Sequence, residues 1–78
     1  MNEWEKMMAR AKPIKEKYQK GTRIMLKRMD DPQAPPLGTL GTVQGVDDIG
    51  NILVSWDTGS SLSVTEADEV VKIEKGGK

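Results

Sequence analysis

The sequence predicts a mainly β domain, five short strands closing into a barrel, with an α-helical arm ahead of it. Three observations lead there. Apolar residues recur at spacings of three and four as far as Tyr18, and after Gly21 the period drops to two. Glycines at 38, 41, 45, 50 and 59, with prolines at 32, 35 and 36, cut the remainder into short segments. The chain has 78 residues with neither Cys nor His, so apolar burial rather than a disulfide or a common zinc site must hold it. The expected organisation is an arm over residues 1–20, a barrel over 21–75 and a disordered polar tail over 76–78.

In the arm, Trp4, Met7, Ala11, Ile14 and Tyr18 form one apolar stripe, which Met8 widens. Asn2 followed three residues later by Glu5 is a capping-box signature. Pro13 is expected to kink the helix near Lys12 or to start a second one, and Gly21 to end it as a C-cap. The stripe suits two occupants, the arm's own barrel or another subunit.

Thr22–Arg28 alternates, with Ile24 and Leu26 on one face. Residues 29–38 hold three prolines within five positions and read as a long loop. Thr39–Val46 is the second strand, with a bulge or bend at Gly41 or Gly45. Asp47–Gly50 is a turn, and Asn51–Asp57 a strand with Ile52, Val54 and Trp56 inward. Asp57-Thr58-Gly59 is a three-residue hairpin loop, and Ser60–Thr65 the fourth strand with Leu62 and Val64 inward. Thr65 caps one short helical turn before a fifth strand over Val70–Glu74. Five strands in this order, with a long first loop, match an SH3-like barrel. The stretch Gly38-Thr39-Leu40-Gly41-Thr42-Val43 resembles the bend of SH3-like modules in ribosomal proteins and transcription factors.

Composition bounds the function. Without Cys or His there is no thiol nucleophile, no Ser-His pair and no usual zinc site, so a non-enzyme is expected, with no cofactor and no metal. No apolar run approaches the roughly 20 residues that span a bilayer. Glu3 and Glu5 sit where a secretory signal would be basic and then apolar. The cytoplasm is the expected location. Net charge is zero but unevenly spread: residues 1–28 carry nine basic and three acidic groups, residues 29–78 three basic and nine acidic. The expected reason is a basic arm lying on an acidic body; a nucleic-acid arm is the rival.

Several linked segments carry a family resemblance. They are Gly21-Thr22-Arg23-Ile24-Met25-Leu26, Met29-Asp30-Asp31-Pro32, Pro36-Leu37-Gly38-Thr39 with Gly41-Thr42-Val43, Val46-Asp47-Asp48-Ile49-Gly50, and Val54-Ser55-Trp56-Asp57-Thr58-Gly59-Ser60-Ser61-Leu62. Together, over about residues 20–74, they resemble a family of small bacterial and phage proteins classed as a domain of unknown function. The resemblance implies an SH3-like fold and a phage or mobile-element setting, hence the host cytoplasm if phage-encoded. It implies no catalytic residues, and the arm lies outside it.

The residues expected to bind a ligand lie in three loops: Met29, Asp30, Asp31, Pro35 and Pro36; Asp47 and Asp48; and Asp57, Thr58, Ser60 and Ser61. The acidic pairs suit a hard cation if their loops meet, but no Glu stands eleven residues after Asp47, and turn-making explains them better. The hairpin amides suit an anion, although a stable hairpin accounts for the same residues. A proline-peptide groove would need an aromatic wall, and Trp56 falls in the core by alternation. The expected function is a non-catalytic protein-interaction module, with self-association also open. Alternatives are an oligomer enclosing a small nucleotide and a nucleic-acid-binding accessory protein acting through Lys6, Arg10, Lys12, Lys15, Lys17 and Lys20.

Overall fold

The computed structural model describes residues 2–73. Its first element is α1, Glu3–Lys17. Asn2 caps it: the Glu5 N–H donates to Asn2 Oδ1 at 2.8 Å, and the Asn2 N–H to Glu5 Oε1 at 3.4 Å. The capping box therefore forms as its spacing predicts. Pro13 lies inside one continuous helix and does not divide it in two. Its missing N–H leaves the Ala9 carbonyl without the usual donor. Ile14 and Tyr18 pack on the core just beyond, so tertiary contact holds the last turn in place. The helix ends at Tyr18, whose N–H donates to the Ile14 carbonyl at 2.8 Å. Gly21 is not its C-cap. It lies in the following turn, where its N–H already bonds the Val43 carbonyl at 2.8 Å.

Four strands follow: β1 Arg23–Arg28, β2 Leu40–Val46, β3 Ile52–Trp56 and β4 Glu69–Lys72. They form one antiparallel sheet in the order β3-β2-β1-β4. The inner face carries Ile24 and Leu26 from β1, Val43 from β2, and Ile52, Val54 and Trp56 from β3, all buried. Met29 and Val64 complete the buried cluster, and Ile14, Tyr18, Ala34, Leu62 and Val70 pack against it. So one sheet is covered by the end of the helix, the loop after β1 and the segment before β4. Among the described residues no helix is long and apolar enough to cross a membrane.

Two glycines shape this core. A Cβ on Gly41 would stand 2.7 Å from both Trp56 Cε3 and Val54 Cγ1, so the bare backbone leaves room for the indole. Gly50 has φ +93° and is buried under α1, where a Cβ would meet Ile14 Cδ1 at 3.3 Å. The bulge expected in β2 falls between Val43 and Gly45.

The described residues hold four strands rather than five. In place of the fourth expected strand, residues 60–64 touch β3 at two points. Trp56 N–H donates to the Ser60 carbonyl at 2.8 Å, and Ile52 and Val64 exchange two backbone bonds of 2.8 Å. Between them the Val54–Leu62 step is unpaired; the Leu62 carbonyl accepts the Trp56 indole N–H at 2.8 Å and the Leu62 N–H donates to Ser60 Oγ at 3.3 Å. Leu62 and Val64 still face inward as alternation predicts. The residues after Thr65 form a hydrogen-bonded turn, not a helical one, and β4 begins one residue earlier than expected, at Glu69, and runs to Lys72. Glu74 and the tail over 76–78 lie outside the described residues.

Candidate functional site

A cleft of about 900 Å³ opens between the start of the long loop and the segment over residues 59–68. Each wall is fixed by local bonding. On the loop side, Met29 is buried and anchors the chain where β1 ends. Asp31 Oδ1 accepts the Gln33 N–H at 2.8 Å and the Asp31 carbonyl the Ala34 N–H at 2.9 Å, closing a turn. The far end of the loop is tied by Gly38 N–H to the Leu26 carbonyl at 2.8 Å and by Thr39 Oγ1–H to the Pro36 carbonyl at 2.6 Å. On the opposite side, Asp68 Oδ2 accepts both the Thr65 N–H, at 2.9 Å, and the Thr65 hydroxyl, at 3.1 Å. Ser60 Oγ accepts the Leu62 N–H at 3.3 Å.

The lining is acidic and rich in hydroxyls. Asp30, Asp31 and Asp68 contribute carboxylates, and Ser60, Ser61, Ser63 and Thr65 hydroxyls. Arg28 stands 3.7 Å from Asp30 in an exposed ion pair, which solvent screens. Among the described residues no group of three or more Asp, Glu, His or Cys is placed to hold a metal ion.

Of the residues expected to bind, Met29, Asp30, Asp31, Ser60 and Ser61 meet in this cleft. The others do not. Pro35 is buried, and Pro36 ties the far end of the loop. Asp57 and Thr58 form the hairpin tip, whose following residue, Gly59, has φ +98° as a three-residue loop requires. Asp57 turns instead to Arg23, with bonds of 3.0 and 2.7 Å to the two guanidinium nitrogens, and Arg23 also donates to Thr42 Oγ1 at 2.8 Å. Those hydrogen bonds, ahead of the charge attraction, hold the Asp57 carboxyl below its ordinary pKa and raise that of Arg23.

Asp47 makes its turn, its Oδ1 accepting the N–H groups of Ile49 and Asn51 at 3.1 and 2.8 Å. Asp48 lies beside α1, 3.4 Å from Lys15. Asp30 and Asp31 line the cleft whereas Asp48 lines a groove beside α1, so the two acidic pairs do not meet and the shared cation site that depended on their meeting is not formed. Gln33, Ser63, Thr65 and Asp68 line the main cleft without having been singled out as ligand-binding. The outward phase of Ser63, opposite to Leu62 and Val64, was the signal available for it.

The arm divides along its length. Ala11 is buried, and Ile14 and Tyr18 pack on the core. Arg10 clasps the body, pairing with Glu66 and donating to the Ile49 carbonyl at 3.1 Å. Trp4 and Met8 remain 56% and 47% exposed. The side chain of Met7 lies outside the described residues. Two of the arm's cations, Arg10 and Lys15, thus face carboxylates of the acidic body.

No curated protein and no solved structure matches the chain. A family model does match, over residues 7–73, and so takes in most of α1, which the sequence reading left outside the resemblance. Covering the sheet, both walls of the cleft and the docked end of the arm, that match places the chain in the family described as a domain of unknown function, DUF4314, to which it belongs.

Proposed function

We propose that this protein is a non-catalytic binding module that receives a basic segment of a protein partner in the cleft between residues 29–33 and 59–68. The observation that carries this reading is the convergence of Asp30, Asp31 and Asp68 on one open cleft with Arg28 as the neighbouring cation. Carboxylates accept charge-assisted hydrogen bonds from Lys and Arg, and the hydroxyls of Ser61 and Ser63, unbonded among the described residues, add further partners. The absence of His and Cys, which removes the commonest general base and the thiol nucleophile, supports a non-enzyme.

The strand order β3-β2-β1-β4, with residues 60–64 lying along β3, supports an SH3-like barrel whose fourth strand is reduced to a bridge. The phage or mobile-element setting, and with it the host cytoplasm, rests on the sequence resemblance; the lack of cysteine fits a reducing compartment.

A second reading is favoured by the volume of the cleft. About 900 Å³ falls in the range of small-molecule sites, and its hydroxyls and carboxylates suit the hydroxyl groups of a sugar or nucleoside. The acidic lining disfavours the phosphates of a nucleotide unless backbone amides of the 59–63 segment reach them. Nucleic acid ranks below both, since the cleft would repel a polyanion.

Native mass spectrometry of the freshly purified protein separates the readings. A co-purifying polypeptide lost in the Asp30→Asn, Asp31→Asn double variant supports the first reading. A retained small mass lost in the same variant supports the second. A ligand that stays bound in that variant would overturn the assignment of the cleft.

A further inference from the structure

We propose that the free half of α1 binds a second copy of this chain, antiparallel, with Trp4 of each copy seated in the groove between α1 and Asp48 of the other. Trp4 and Met8 share a helix face with Lys12 and Lys15, at spacings of four, eight and eleven residues. This face flanks the one that Ala11, Ile14 and Tyr18 bury in the body. Along it runs a groove of about 240 Å³ lined by Met8, Ala11, Lys12, Lys15, Glu16 and Asp48, room on the scale of one indole ring.

Apolar group and groove lie at a spacing that makes the face self-complementary. The groove is centred near Lys12, eight residues from Trp4, which is about 12 Å along a helix rising 1.5 Å per residue. A twofold axis midway passes at Met8. It places Trp4 of each copy opposite the other's groove and Met8 against Met8, as an isologous contact requires.

Charge selects the same direction. The first turn holds Glu3 and Glu5, and the last turn Lys15 and Lys17. Antiparallel pairing about this axis sets Glu3 and Glu5 level with the turn around the partner's Lys12 and opposes the helix dipoles, whereas parallel pairing stacks like charge on like. Lys12 then lies beside the partner's Trp4, where a cation meets an aromatic face. Two indoles and two methionines bury well under the roughly 1,000 Å² of a stable interface, so the dimer is concentration-dependent. The contact is separate from the cleft and does not depend on its ligand.

Sedimentation velocity on the full chain, from about 1 μM to about 1 mM, tests it. The wild type is expected to pass from monomer to dimer. Trp4→Ala is expected to raise the dissociation constant at least about tenfold, the usual cost of truncating a central aromatic. Because Trp4 is exposed, its circular dichroism and melting temperature should stay those of the wild type. Lys12→Glu should weaken the dimer, and Glu3→Lys added to it should restore association. A wild-type monomer throughout the range, or an assembly of unchanged affinity in Trp4→Ala, would overturn the proposal.

Discussion

Gly41 lies beneath the indole of Trp56, and its missing side chain is what lets the largest core residue cross β2. Added at 2.7 Å from ring and Val54 carbons, a methyl must displace packed atoms rather than a flexible tip. Gly41→Ala is therefore expected to destabilise the protein by about 1–3 kcal/mol, the usual cost of overpacking a core, read as a lower urea midpoint. The Arg23–Asp57 pair acts at the surface, and its signature is in pH. Its folded carboxyl pKa is depressed, so its stabilising effect is complete above the ordinary carboxylate value of about 3.9 and is lost as pH falls through the folded value. Asp57→Asn should then melt lower than the wild type at neutral pH, with the gap closing below about pH 4. A gap independent of pH would show that the pair is not what stabilises the hairpin.

At the scale of elements, the segment over residues 60–64 follows β3 without completing a strand. Ile52 and Trp56 donate to Val64 and Ser60, whereas the Leu62 carbonyl opposite Val54 accepts the Trp56 indole N–H. In hydrogen exchange the Val54 amide should be less protected than those of Ile52 and Trp56; equal protection would mean that the ladder is continuous. Alternation made the inward Leu62 and Val64 legible in the sequence. It could not reveal the broken ladder or the Trp56–Leu62 bond, a side-chain contact six residues apart that only the fold makes. Pro13 is the reverse case. Its local chemistry argues for a break, and packing of Ile14 and Tyr18 on the core keeps the helix whole. The cleft was half legible: the Asp30-Asp31 turn and the serines after the hairpin carried their own signals, while Asp68 joined them through the fold.

For the whole molecule, the charge division between arm and body becomes a docking pattern, with Arg10 on Glu66 and Lys15 on Asp48. The Cα radius of gyration, 12.7 Å, exceeds the roughly 11.5 Å of an ideally compact chain of this length, as a half-docked helix would make it. Since Ile14 and Tyr18 belong to the same core as Trp56, arm and sheet should unfold together. In a Trp4→Ala background, helix ellipticity and Trp56 fluorescence are expected to give one melting temperature. An earlier helix transition would mean that the docked half contributes little to the core.

Sequence alone determined the elements whose causes are local: the capped helix, the inward residues of β1 and β3, the turns at Asp47 and Gly59, and the chemistry that Cys and His would have provided. Periodicity and turn chemistry act within a few residues, so they can be read from the order of the chain. Only the tertiary structure decided which loops share a cleft, that Asp57 serves Arg23 and not a ligand, and that the apolar stripe splits at Ala11 into a docked half and a free one. Those outcomes depend on contacts between residues up to 56 positions apart, such as Arg10 and Glu66, and no local pattern encodes such a distance.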